Sequence, residues 1–212
     1  MSINLHLLNA QGKLSELENR IASEFKTAVN QITSLLPIND VDVVISASDQ
    51  VLPETGLGGF CPEGGLIYLK IDPNNSNLLE RFSEEFLATM GHEMHHCMRW
   101  RTAGYGSTLK EALITEGLAC CFETELRSSG APFYATALDK SELSEFWGKA
   151  KPELGSNSYD HVAWFFGSPT RRIPKHTGYS LGFSIVENYI NRTNIPASRL
   201  SDVLASQVIS EG

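Results

Sequence analysis

Long apolar runs are missing from this 212-residue chain, and none is of a length to span a bilayer. Concentrated positive charge is missing too. The 17 Lys and Arg stand against 25 Asp and Glu, for a net charge of −8. Phosphate backbones demand clustered Lys and Arg, so neither nucleic acid nor a membrane is an expected partner. Cysteine is scarce. Four of them (Cys61, Cys97, Cys120, Cys121) make no disulfide framework, and reduced buried thiols are the default. Met1 to His6 lacks a basic stretch leading into an apolar core, so the expectation is no secretory signal and a cytoplasmic location. There are no internal repeats and no low-complexity tracts. What is present is ordinary for a globular protein, with 42% apolar and 20% charged residues. The length suffices for a real core.

Periodicity predicts an α+β chain. Leu14 to Leu36 reads as an amphipathic helix, with Ile21, Phe25, Ala28 and Ile32 on one stripe. Ser15 with Glu18 is a candidate capping box, and Pro37 ends the helix. Val41–Ser46 is β-branched and reads as a strand. Gly56–Phe60 reads as a flexible loop and Gly65–Asp72 as a second strand, a candidate sheet edge. Helices follow at about 77–101, 108–128 and 139–149. Residues 152–178 read as a long loop around Trp164, Phe165 and Phe166, of a length that is often functional. Closing helices are expected over 178–191 and 197–206.

The chemistry is concentrated in His92-Glu93-Met94-His95-His96. Residues i and i+4 share one face of a helix, so the His92 and His96 imidazoles can converge on one ion. Glu93 is too close in sequence to be a comfortable third ligand, and is well placed to take a proton from water on that ion. A shuffled chain of this composition shows the pattern about 0.014 times, so accident is a poor explanation. The bland reading is a solvated helix face, with Arg81, Glu85 and Arg99 beside the histidines.

A catalytic zinc keeps three protein ligands and leaves one position open. The 108–128 helix is apolar around most of its circumference and should be buried. Glu116 lies there in a stripe with Leu109, Ala112, Leu113, Ala119 and Cys120. A buried carboxylate needs a cation or a full set of hydrogen bonds. Glu123, two turns on, is the rival, and Cys61 is a further candidate donor. Cys97 faces away from His96. An extended site is excluded, because Arg99 and Thr102 stand where it needs Gly and His.

This arrangement resembles the gluzincins, the thermolysin-like clan of zinc peptidases, in which a Glu on the following helix completes the ligand set. Glu116 follows His96 by 20 residues, a spacing similar to that in thermolysin. More closely, the blocks Gly91–His96, Leu109–Ala119 and Gly178–Val186 resemble a bacterial family of predicted Zn-dependent proteases classed as a domain of unknown function. The resemblance implies Zn2+ held by His92, His96 and Glu116, with Glu93 as the base. It implies a zincin-like α+β fold, in which a small N-terminal sheet layer packs on a mainly helical domain that carries the motif helix. One domain over 1–212 is expected, with an α/β part over about 1–101 and a helical part over about 102–212. The family commonly carries Asp four residues after the third ligand, where this chain has Cys120. A partner for a ligand histidine must then come from Glu123, a backbone carbonyl or elsewhere.

The expected activity is metal-assisted hydrolysis of a peptide or protein substrate. His176 and Tyr179 are the candidate donors to the developing oxyanion, and Arg171 and Arg172 are candidates for holding a substrate carboxylate. A strand edge would take the substrate as an added strand. Two other classes compete: a catalytically weak metal-binding module for a peptide or partner, motivated by Cys120, and a redox protein using Cys120 and Cys121.

Overall fold

The stripe Leu14, Leu17, Ile21, Phe25, Ala28 and Ile32 is buried along its length, and it sets the first helix against the rest of the N-terminal half. The computed structural model describes residues 2–209. Its fold is α+β, a four-stranded sheet and seven α-helices among the described residues. The chain divides into two compact units, 1–101 with 126–128, and 102–125 with 129–212.

The first unit holds the sheet. β1 is Ile3–Leu8, β2 Val41–Ala47, β3 Leu57–Glu63 and β4 Leu66–Ile71, in the order β1-β2-β4-β3. β1 and β4 both run parallel to β2, while β3 is antiparallel to β4. Alternation turns Val41, Val43 and Ile45 of β2, and Ile67, Leu69 and Ile71 of β4, to the buried face. The helices α1 (Glu18–Leu35) and α2 (Ser76–Arg101) belong to the same unit, and α2 packs on α1, β3 and β4. α2 is kinked at Arg81, whose φ of −119° and ψ of 23° are not helical.

Three expectations change here. The Gly56–Phe60 segment is not a loop: most of it lies in β3, held in the ladder by β4. The Ile67–Ile71 strand is not an edge: β4 is interior, and β3 is the outer strand. Ser15 does not cap α1, since Leu17 holds the cap position without a side-chain bond and the Ser15 hydroxyl accepts from Asn9 instead.

The second unit is helical: α3 (Leu109–Leu126), α4 (Lys140–Ala150), α5 (His161–Phe166), α6 (Thr177–Thr193) and α7 (Ala205–Val208). Leu109, Leu113, Phe146, Trp164, Phe165 and Leu181 form its apolar cluster. The expected loop over 152–178 contains α5, capped by Asp160 through the Ala163 amide. The last expected helix shrinks to a 3-10 turn at Ala197–Arg199 and the single turn of α7.

α3 is started by a reciprocal cap. The Glu111 carboxylate accepts from the Ser107 and Thr108 amides and the Thr108 hydroxyl, and Thr108 Oγ1 accepts from the Glu111 amide. Those bonds, led by the Ser107 amide, hold the Glu111 carboxyl below its ordinary value of 4.5. A depressed folded pKa stabilises above the unfolded value and ceases to as pH falls through the folded one. Glu111→Ala should therefore cost about 0.5–2 kcal/mol at neutral pH in urea unfolding. The gap from wild type should narrow as pH falls below 4.5.

Candidate metal centre

From Met90 to Cys97 every side chain of α2 is buried. His92 is 7% exposed, His96 3%, and Glu93 between them 6%. One helical turn separates the two imidazoles, whose ring centroids lie 4.7 Å apart at 83°. This is not the solvated face of the bland reading. Even the acid on that side, Glu85, is buried, and it receives a forked pair from Arg127 at 2.7 and 3.2 Å.

Glu93 is fitted to the outer strand. A β-carbon built on Gly59 of β3 falls 2.4 Å from Glu93 Oε1 and 2.6 Å from its Cγ. The strand runs over the carboxylate at a distance only glycine permits. The low strand propensity that makes this segment read as a loop is the condition for that packing.

Glu116 sits at the centre of α3, 5% exposed in a helix buried from Ala112 to Glu123. Its Oε1 accepts a 2.7 Å bond from the Tyr105 hydroxyl. Glu123, the rival ligand, is 1% exposed and accepts a short bond from the Tyr134 hydroxyl.

His92, His96 and Glu116 each offer one ligand atom, and the three atoms lie within 4.8 Å of one another. They form the one such group of three among the described residues. Donors about 2.1 Å from a tetrahedral ion stand roughly 3.4 Å apart, a separation inside the 4.8 Å that bounds this group. Two imidazoles and a carboxylate, all buried, suit a divalent cation and are costly to keep without one.

The other candidates are not members of the ligand group. Cys61 Sγ lies 3.2 Å from Cys97 Sγ and donates to the Glu63 carbonyl, so it belongs to a thiol pair and not to the ligand group. Cys120 and Cys121 are buried, and burial pushes the Cys121 thiol up, which removes the motive for a redox role. Arg171 is paired with Glu153, and Arg172 is exposed in a turn with φ of 50°. His176 and Tyr179 head α6, their rings 6.2 Å apart. His176 takes a left-handed cap position with φ of 66°, and Tyr179 packs edge-on against Tyr134 and Phe165.

Sequence reasoning passed over three residues. One is Tyr105, the partner of Glu116. The others are Tyr159 and His161, joined at 3.0 Å through the phenol and Nδ1. Burial pushes the Tyr159 phenol up, and the negative charges of Glu116 and Glu111 add to the effect. Burial pushes the His161 imidazole down, against an opposing pull from Glu116. The available signal was Asp160, a helix cap inside an apparent loop.

Comparison with known proteins agrees with this geometry. The model of a family described as "Predicted Zn-dependent protease (DUF2268)" matches residues 13–210. Among curated proteins, the uncharacterized protein YjfC of Bacillus subtilis (strain 168) is 26% identical over 170 residues. That match covers 72% of this chain and 55% of the relative, so the chain spans about half of the relative's length. No solved structure matches.

Proposed function

The chain belongs to this family of predicted Zn-dependent proteases, and we propose that it is a zinc metallopeptidase of the gluzincin type, cleaving peptide bonds in a peptide or protein substrate. The observation that carries the reading is the meeting of His92, His96 and Glu116, three buried ligand atoms within 4.8 Å. Zinc held there would supply Lewis acidity, drawing the pKa of water toward 7 and polarising a carbonyl. Glu93, buried beside His92 and outside the ligand group, takes the proton of the attacking water and returns it to the leaving amine. Gly59 leaves room for that carboxylate against β3, where a β-carbon would lie 2.4 Å from its Oε1.

β3 is an outer strand, bridged at Leu57 by Leu52, and Gly58 and Gly59 beyond that bridge carry no side chain to bar close approach. An extended peptide pairs with it as an added strand, which supplies affinity through the main chain. Tyr179 and His176 are the proposed donors to the oxyanion as it develops.

A library of unstructured peptides tests the reading. Zinc-loaded protein should cleave some of them, lose that activity to a strong chelator, and recover it when zinc is restored. Hydrolysis indifferent to the chelator, or none from the zinc-loaded protein, would contradict it.

A further inference from the structure

The segment entering α3 is built around one side chain. Thr102-Ala103-Gly104-Tyr105-Gly106-Ser107-Thr108 carries two glycines in the left-handed region, Gly104 at φ 84° and Gly106 at φ 93°. Such a sequence alone reads as a loose connection. The structure ties it down at three points. The Thr102 hydroxyl donates to the Ser201 carbonyl at 2.9 Å. The Tyr105 carbonyl accepts from the Thr115 hydroxyl at 3.1 Å, and Thr115 is fully buried on α3. The Ser107 and Thr108 amides donate to Glu111. Gly106 is itself required, because a β-carbon there would lie 2.3 Å from that of Glu111.

The fixed point at the middle is Tyr105. Its hydroxyl donates to Glu116 Oε1 at 2.7 Å, a charge-assisted bond to the acid of the ligand group. The bond from the Thr115 hydroxyl to the Tyr105 carbonyl anchors the same residue to α3 one position before Glu116. Tyr105 is thus tied to α3 twice, its hydroxyl to the Glu116 carboxylate and its carbonyl to the side chain of the adjacent Thr115. A carboxylate on a helix can rotate about its side-chain torsions, and a donor on one oxygen removes that freedom.

We propose that Tyr105 is a positioning residue, whose hydroxyl fixes the Glu116 carboxylate so that its other oxygen is presented to a metal ion. The inference rests on the reading of Glu116 as a metal ligand. Partners that orient a ligand carry weight out of proportion to their distance from the metal, and removing one typically costs 10- to 100-fold in affinity. Tyr105→Phe deletes the donor and keeps the ring.

The test is a chelator-competition titration with zinc alone, on wild-type protein and Tyr105→Phe. Wild type should bind one zinc, and the variant should bind it about 10- to 100-fold more weakly. The melting temperatures of the two metal-free proteins should be close. If the variant melts lower, cobalt(II) loaded to saturation decides the matter. The visible bands report ligand geometry in the folded fraction only, and they should shift in the variant. Equal zinc affinity, or unaltered cobalt bands, overturns the role of Tyr105 while the metal centre stands. Absence of zinc binding by wild type overturns the metal reading and the role of Tyr105 with it.

Discussion

Glu93→Gln is expected to abolish turnover while the protein still carries its metal. The carboxamide has the size of the carboxylate but no basicity, so proton transfer is lost and the ligand group is untouched. General-base catalysis by a placed carboxylate is worth about 10²–10⁴-fold, and the loss in kcat should be at least of that order. Zinc content should equal that of wild type, and a binding module would show no change at all. Gly59→Ala provides an independent route to the same result. Its methyl would fall 2.4 Å from Glu93 Oε1, the end of a movable side chain rather than backbone. The fold should survive and the carboxylate should be displaced, so turnover should fall with little change in melting temperature. Full activity in Glu93→Gln would remove Glu93 from the mechanism, and full activity in Gly59→Ala would remove its fit against β3 from the account.

Gly182→Ala is expected to be the most damaging small substitution in the helical unit. α3 and α6 approach each other backbone to backbone at Gly117 and Gly182. A β-carbon on Gly182 would lie 2.2 Å from the Leu113 carbonyl oxygen, and one on Gly117 would lie 2.3 Å from the Gly182 oxygen. No rotamer relieves a clash with main chain, so the helices must separate. Overpacking of this kind costs about 1–3 kcal/mol or more, which exceeds the roughly 1 kcal/mol that Ala gains over Gly in a helix. Gly148→Ala in α4 supplies the control. A β-carbon there meets nothing within 4 Å, so the substitution should stabilise by about 0.5–1 kcal/mol. Denaturant unfolding of the two variants should move the midpoint in opposite directions. Gly117 adjoins Glu116 in sequence, so forcing this crossing apart should weaken metal binding as well.

The two halves of the site differed in how plainly the sequence displayed them. His92 and His96 are legible because a helical turn is local: spacing alone brings the rings together. Glu116 is legible because a charge in an apolar helix demands a partner. The rest depends on packing between segments distant in the chain. β3 reads as a loop in sequence because Gly58 and Gly59 have poor strand propensity, yet β4 holds the strand and Glu93 requires the glycine. β4 reads as a candidate edge in sequence because a parallel β1-β2-β4 crossover leaves no local mark. Tyr105 is not legible because its glycine neighbours suggest a mobile turn, whereas Ser201, Thr115 and Glu111 hold the segment from outside it. α5 does not stand out in sequence because six residues give too little periodicity, and only the Asp160 cap betrays it.

Metal analysis of protein prepared without added zinc, set beside Glu116→Ala prepared identically, bears most directly on the centre. Wild type should hold close to one zinc per chain. The variant retains both imidazoles and loses the carboxylate, and it should hold little or none after dialysis. Wild type that takes up no zinc even when it is offered, or a Glu116→Ala variant that keeps a full equivalent, would contradict a centre made by His92, His96 and Glu116.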